Sequence, residues 1–266
     1  MKLLIIGPNG KMGKAIVETA YKNPNIEIIG GVAPIDRDYI GSDIGVLCGL
    51  GKAINAKVYS NIEDIIDKAD MVVECTMPEV SISTLKLCVK HKKSFVSGTT
   101  GFSEDELNIL KNASSEIPLL LAANTSRLTH ILYSVLKNVC KNIPKDVDID
   151  IVDFHDNKKL DAPSGTGKEI SRLIAKELGY DITKDCEYGR NGRQRRRKNT
   201  IAFNSIRSGG TAGSIKVIFG FEDENMELTL NIFNMKTFAK GIIDACLYLN
   251  NKSAGFYTIE EVFKIN

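Results

Sequence analysis

Leu3-Leu4-Ile5-Ile6-Gly7-Pro8-Asn9-Gly10-Lys11-Met12-Gly13 runs from an apolar tetrad into a turn spaced by glycines. Four consecutive apolar residues with nothing polar between them fit a short strand buried on both faces. Lys11–Tyr21 follows with a helical pattern. Between strand and helix the glycines fall as G-x-x-G-x-x-G. Gly7 permits the sharp turn, Gly10 lets the backbone approach a pyrophosphate, and Gly13 lets helix and strand pack closely. The start of the helix adds free N–H groups and a partial positive charge. A glycine trio alone says little. Placed directly after an N-terminal strand and at the opening of a helix, it is expected to bind a dinucleotide, with Gly7, Pro8, Asn9, Gly10, Lys11, Met12 and Gly13 as the cofactor-binding residues.

Outward from this loop the first half keeps alternating. Ile26–Val32, Met71–Cys75, Phe95–Val96 and Leu119–Ala122 are strand-like, with helical stretches between them, and Ser103-Glu104-Asp105-Glu106 is a capping box opening one of those helices. Strand–helix alternation with continuous apolar strands predicts an α/β fold, a Rossmann-type doubly wound parallel sheet covered on both faces. The pattern changes near residue 125. A long helix is expected at Ser126–Val139, an acidic strand at Val147–Phe154, and a helix from about Ser164 to Leu178. Three strand-like runs follow, Thr200–Arg207, Ile215–Phe219 and Met226–Phe233, and then a helix at Phe238–Leu249. Alternation in the last of these runs, Glu227, Thr229 and Asn231 against Leu228, Leu230 and Ile232, suggests a sheet with one face less buried. The second part is therefore expected to be a C-terminal α+β domain with a mixed, mostly open sheet.

Composition narrows the class. The chain has 266 residues, enough for one large domain or two modest ones, and 43% hydrophobic with 26% charged residues fits a soluble globular protein. A net charge of +2 demands no polyanionic partner. No apolar run is long enough to span a membrane, and Met1–Gly7 is too short for a signal peptide, so the expected location is the cytoplasm. The six cysteines, Cys48, Cys75, Cys88, Cys140, Cys186 and Cys246, are scattered without a Cys-x-x-Cys pair, and with three scattered histidines they make no metal site. His91, in Lys90-His91-Lys92-Lys93, reads as a solvated helix end, and His130 as helix packing. Arg190, Arg193, Arg195, Arg196, Arg197 and Lys198 form a dense basic run. Only Tyr188 is an aromatic near it, and the rest of the chain is near neutral, so a solvated loop, or one closing over an anionic substrate or cofactor phosphate, is preferred to nucleic-acid binding.

The second informative stretch is His155-Asp156-Asn157-Lys158-Lys159-Leu160-Asp161-Ala162-Pro163-Ser164-Gly165-Thr166. It follows a strand and opens a helix. His155 is a candidate proton donor near neutral pH. Lys159 can bind a carboxylate or aid protonation, and the Ser164-Gly165-Thr166 backbone can offer N–H groups to a carboxylate. Ser164-Gly165-Thr166-Gly167-Lys168 is not a nucleotide P-loop, because Ala162 and Glu169 stand where that motif needs Gly and Ser or Thr.

This segment resembles the signature of the 4-hydroxy-tetrahydrodipicolinate reductase family, formerly dihydrodipicolinate reductase, roughly E-x-H-H-x-x-K-x-D-A-P-S-G-T. The resemblance runs along the chain. It includes Gly7–Gly13, Thr76-Met77-Pro78-Glu79, Gly98-Thr99-Thr100-Gly101-Phe102, Ala123-Asn124-Thr125-Ser126 and Thr237-Phe238-Ala239-Lys240-Gly241. It implies an NAD(P)H-dependent oxidoreductase of lysine and diaminopimelate biosynthesis acting on a small cyclic dicarboxylate. His155 would be the general acid and Lys159 its partner. Thr100, Lys159, Ser164, Gly165 and Thr166 would hold the substrate; Thr76, Gly98, Thr100 and Asn124 would join the phosphate loop around the cofactor. The last helix would return to the first domain, giving a dinucleotide-binding domain of residues 1–125 with 236–266 and a substrate-binding and oligomerisation domain of residues 126–235, usually assembled as a homotetramer.

Cofactor choice stays open between NADPH and NADH. Gly30-Gly31-Val32-Ala33-Pro34 carries no acid for the ribose hydroxyls, while Arg37 could take a 2′-phosphate, so NADPH is expected, with NADH as the alternative. The chain departs from the family pattern at Asp156, where a second His is usual. Pointing away from the substrate, Asp156 is expected to pair with Lys158 or Arg207. A diverged paralogue reducing a related cyclic imine and a cofactor-sensing relative without turnover stand beside the main reading.

Overall fold

The computed structural model describes residues 1–144 and 146–265. In chain order the elements are β1 (Lys2–Ile6), α1 (Lys11–Tyr21), β2 (Glu27–Val32), α2 (Ile44–Leu47), β3 (Lys57–Tyr59), β4 (Met71–Glu74), α3 (Pro78–Lys90), β5 (Ser94–Ser97), α4 (Glu104–Ala113) and β6 (Pro118–Leu121). Then come α5 (Arg127–Asn142), β7 (Asp148–His155), α6 (Gly165–Leu178), β8 (Cys186–Tyr188), β9 (Ile201–Arg207), β10 (Gly213–Gly220), β11 (Asn225–Ile232), α7 (Lys236–Leu249), β12 (Gly255–Tyr257) and α8 (Ile259–Phe263). The chain divides into two compact units, Met1–Ser126 with Met235–Lys264, and Arg127–Asn234.

The first unit holds a seven-stranded sheet in the order β12-β6-β5-β4-β1-β2-β3, and every pairing is parallel. Parallel strands are joined by crossovers that place helices over the sheet, which is why Leu3–Ile6 of β1 and Met71–Val73 of β4 read as unbroken apolar runs. Leu3, Leu4, Ile5, Val72 and Val73 are fully buried. The chain order reverses at β1, which has β2 on one side and β4 on the other. In doubly wound sheets that reversal opens a crevice at the carboxyl ends of the strands, where ligands bind. Helix α7 returns to this unit. A Cβ on Gly241 would stand 1.7 Å from the Thr125 carbonyl oxygen, so glycine is what lets α7 lie directly on that backbone. Thr125 Oγ1 donates to the Phe238 carbonyl at 2.7 Å across the same contact.

The second unit is a five-stranded sheet in the order β11-β10-β7-β9-β8. The β11–β10 and β10–β7 pairings are antiparallel, and the β7–β9 and β9–β8 pairings parallel. Helices α5 and α6 pack on one face through Leu132, Leu136, Ile170 and Ile174 against Ile149, Ile151, Phe203 and Val217. The two fold classes expected from the pattern are both present. The elements that pattern reading did not resolve are short: β3, β8 and β12 have three residues each, α2 has four and α8 five. Helix α5 begins one residue later than expected and runs on to Asn142. No helix among the described residues is long and apolar enough to cross a membrane.

Candidate active site

The phosphate loop sits at the β1–α1 junction. Gly7 has φ +70, a left-handed conformation that glycine adopts without cost, and its N–H is bonded to the Val32 carbonyl of β2 at 2.9 Å. At Gly13 a Cβ would fall 2.1 Å from the Gly7 carbonyl oxygen and 2.8 Å from the Pro8 backbone, so α1 can rest on the turn only with glycine there. Gly10 is the N-cap of α1, no side chain caps the helix, and its first turn carries no acid. The first-turn N–H groups of a helix lack intrahelical acceptors. Here the helix opens at the exposed Gly10 and Lys11 without a competing carboxylate, so the turn could receive a dinucleotide pyrophosphate. Gly31 is held close as well, since a Cβ there would meet Pro8 Cγ at 2.7 Å.

Thr76 follows β4, and its Cγ2 would lie 3.0 Å from a Cβ on Gly7, which places the loop after β4 beside the phosphate turn. Thr76 and Thr100 are exposed, while Gly98 is half-buried against Cys75 and Ile242. Asn124 Oδ1 accepts the Ser126 N–H at 2.9 Å. Arg37 lies in the loop after β2, exposed, with Nε 3.8 Å from Asp36 Oδ1, a loose surface pair. Lys11 and Met12 open α1.

The second cluster is built on β7. Residues two apart on a strand share a face, so Asp153 and His155 project together. Nδ1 of His155 lies 2.9 Å from Asp153 Oδ1, an ion-pair contact whose N–H direction is off-line for a well-formed hydrogen bond. Asp153 is fully buried. Its Oδ2 accepts the Ser164 N–H at 2.7 Å and the Arg207 guanidinium at 2.9 Å. Burial pushes the Asp153 carboxyl up, but His155, the Ser164 N–H and Arg207 together outweigh it and hold the group well below the usual carboxylate range. Asp153 is therefore an anion at neutral pH, and it organises a histidine, an arginine and a helix start around itself. Arg207 is further fixed by the carbonyls of Asp153 and Asp161. On the neighbouring strand β10, a Cβ on Gly213 would lie 3.1 Å from His155 Nε2, so glycine leaves the imidazole its room.

Ser164 is the N-cap of α6, and its Oγ accepts the Gly167 N–H at 3.1 Å. Its own N–H is taken by Asp153 and it is almost fully buried, so it shapes the turn rather than offering its N–H. Gly165 is exposed with open space above its Cα, and Thr166 is half-buried. Lys159 Nζ pairs with Asp161 Oδ1 at 2.8 Å. An anionic ligand would have to draw the ammonium away from that partner. Asp156 does not pair with the Lys158 or Arg207 side chains as expected. Its Oδ1 accepts the Lys158 backbone N–H at 2.8 Å, closing a tight turn, because Arg207 is already committed to Asp153.

The basic run divides into anchored and exposed residues. Arg196 is largely buried and is held by Asp148 at 2.9 Å, by Asp150, and by the Ile149 and Thr200 carbonyls, so it anchors the loop to β7. Arg197 donates to the Lys184 carbonyl, and Arg190 to the Gln194 carbonyl at 3.1 Å. Arg193, Arg195 and Lys198 are exposed. His91 is not a freely solvated end: its Nδ1 is 2.7 Å from Asp67 Oδ1, and its side chain is mostly covered. His130 is buried edge-on to Tyr133. All six thiols are free.

Two family models cover most of the chain: "Dihydrodipicolinate reductase, N-terminus" matches residues 1–125 and "Dihydrodipicolinate reductase, C-terminus" matches residues 129–263. A 4-hydroxy-tetrahydrodipicolinate reductase of Hahella chejuensis is 33% identical over 262 residues, 98% of each chain. One from Pseudomonas fluorescens is 33% identical over 266 residues, 99% of each. Among solved structures, a dipicolinate-bound dihydrodipicolinate reductase from a Paenisporosarcina species has the same fold, with a TM-score of 0.75 at 22% identity over 100% of this chain and 99% of its own.

Proposed function

The chain belongs to the dihydrodipicolinate reductase family, and from that premise we propose that it reduces 4-hydroxy-tetrahydrodipicolinate to tetrahydrodipicolinate with NADPH or NADH, in the diaminopimelate route to lysine. The observation that carries the reading is the buried Asp153, which touches His155 on one oxygen and the Ser164 N–H at the start of α6 on the other, with Lys159 on the loop that joins them in sequence. It puts a proton donor beside groups suited to a carboxylate. The reaction eliminates water from the substrate, then adds a hydride to a ring carbon of the conjugated cyclic imine and a proton at the electron-rich atom this creates. Bound at Gly7, Pro8, Asn9, Gly10, Lys11, Met12 and Gly13, a reduced nicotinamide dinucleotide supplies the hydride. Arg37 would hold a 2′-phosphate, and Thr76, Gly98, Thr100 and Asn124 the nicotinamide end.

His155 delivers the proton, and Asp153, 2.9 Å from its Nδ1, holds the imidazole in place. Lys159 leaves Asp161 to take one substrate carboxylate. The first turn of α6 at Gly165 and Thr166, shaped by Ser164, takes the other through N–H groups and the helix dipole. Two carboxylate anchors fix the ring's orientation, which is the larger share of what the protein has to supply.

We assign NADPH ahead of NADH on Arg37 and on the missing acid after β2. The basic loop is assigned no separate partner, and the expected location is the cytoplasm. A homotetramer is favoured by the second sheet. Helices α5 and α6 occupy one of its faces, while Ile206 is exposed and Val152, Phe154 and Ile218 are half-buried on the other.

The test couples the purified chain to the synthase that makes 4-hydroxy-tetrahydrodipicolinate and follows NADPH, then NADH, oxidation. Rapid oxidation, inhibited competitively by pyridine-2,6-dicarboxylate, is expected. Cofactor binding without turnover on this substrate would overturn the reading.

A further inference from the structure

Glu74 ends β4 and is fully buried, at the end of a strand otherwise made of Met71, Val72 and Val73. Its Oε2 accepts the Thr76 N–H at 2.9 Å, the Thr76 hydroxyl at 2.8 Å and the Thr99 hydroxyl at 2.8 Å. Its Oε1 accepts the Ser97 hydroxyl. Among the described residues no lysine, arginine or histidine pairs with it. A buried carboxyl without a cation is costly unless donors surround it, and an apolar side chain would fill this position as Val73 fills its own. The carboxyl must therefore be retained for what it holds.

What it holds is two loops. Thr76 lies after β4 and Thr99 after β5, and the Thr76 N–H also donates to Thr99 Oγ1 at 2.8 Å. Ser97 Oγ in turn accepts the Thr99 N–H at 3.2 Å and lies 3.4 Å from the buried Ser81 Oγ of α3. On its outer side the network meets the phosphate turn, because Thr76 Cγ2 packs where a Cβ on Gly7 would be crowded at 3.0 Å. The residues just outside it, Thr76 and Thr100, are exposed. All of this lies beside the β1–β4 reversal of the sheet, where the crevice opens.

We propose that Glu74 is a positioning residue for the cofactor: it staples the loop after β4 to the loop after β5, beside the phosphate turn, and so presets the surface that receives the nicotinamide half of the dinucleotide. The proposal rests on the dinucleotide reading above and deepens it. Glu74 touches no reacting atom and acts through Thr76 and Thr99. Preset loops bind with less ordering cost, and the loss of one well-made hydrogen bond is enough to be read as about a tenfold change in affinity.

The experiment compares two ligands by titration calorimetry on the full chain, NADPH and 2′-phospho-ADP-ribose, which lacks only the nicotinamide. In Glu74→Gln, NADPH binding is expected to weaken about tenfold, while 2′-phospho-ADP-ribose binds within about twofold of the parent, with the melting temperature nearly unchanged. Equal weakening of both ligands would make Glu74 merely structural and overturn the proposal. Unchanged binding of both would overturn it as well. If the parent chain bound neither ligand, the dinucleotide reading itself would fall and this proposal with it. Should Glu74→Gln not fold, Thr99→Val and Thr99→Ser decide: the valine is expected to reproduce the selective loss and the serine, which keeps the hydroxyl, to restore binding. A serine as weak as the valine would contradict the network.

Discussion

Asp153 Oδ1 stands 2.9 Å from His155 Nδ1, and the same carboxylate takes Arg207 and the Ser164 N–H on its other oxygen. One buried anion thus fixes the histidine ring and the start of the helix that offers its N-terminus. Asp153→Asn should lower kcat by about 10- to 100-fold, since proton transfer by a positioned acid contributes in that range or above, with little change in the Kd for NADPH. Stopped-flow turnover together with cofactor titration measures both quantities.

The same contacts make a pH prediction. The folded-state carboxyl of Asp153 is held below its unfolded value of about 4, so its stabilising contribution is fully present above that pH and is lost as pH falls through the acid range. Urea unfolding between about pH 3 and pH 7 should show a steeper acid loss in the parent than in Asp153→Asn. The variant should also be less stable at neutral pH, because Arg207 loses its charged partner.

Gly213→Ala tests the room left for the imidazole. The added Cβ would press His155 Nε2 at 3.1 Å, tight enough that the ring must give way. A fall in kcat of about tenfold with near-normal thermal stability is expected, as small misplacements at a reacting group are costly. Crystals of the variant should show the ring displaced.

Lys159 is held by Asp161 at 2.8 Å. Lys159→Gln should raise the KM for substrate about tenfold or more while cofactor binding stays the same, because a charge-assisted bond to a carboxylate is removed. Asp161→Asn should act in the opposite direction on binding of pyridine-2,6-dicarboxylate, since it frees the ammonium from a competing anion. Inhibitor titrations on the two variants check the pair.

Gly13→Ala would place a Cβ 2.1 Å from the Gly7 carbonyl oxygen. The backbone on both sides has to move, so the substitution should cost about 1–3 kcal/mol of stability and abolish measurable NADPH binding. Thermal melts with and without cofactor should show the parent stabilised by NADPH and the variant not.

How much of this could be read beforehand depends on what each residue needs. Gly7 and Gly13 were legible because the turn and the close packing admit only glycine, and β1 because parallel strands are apolar on both faces. The strands at Lys57–Tyr59, Cys186–Tyr188 and Gly255–Tyr257 were not, since three residues carry too little pattern and these strands are set by the neighbours they pair with. His155 and Lys159 stood out by chemistry, whereas Asp153 was absorbed into an acidic strand. Its signal was a shift of face: Asp148 and Asp150 point one way, Asp153 the other, with Ile149 and Ile151. Glu74 was hidden at the end of an apolar run, and its burial among the Thr76, Ser97 and Thr99 donors is what distinguishes it. The basic loop shows the limit from the other side, because nothing in a row of arginines tells that Arg196 is an internal anchor to Asp148 and Asp150.

The role of His155 as proton donor is tested most directly by turnover of His155→Gln with NADPH and 4-hydroxy-tetrahydrodipicolinate, measured beside the NADPH Kd of the same preparation. In this variant kcat is expected to fall by about 10²- to 10⁴-fold while the Kd stays within about twofold of the parent. An unchanged kcat would show that the proton comes from elsewhere, and the site built around Asp153 and His155 would lose its proposed role.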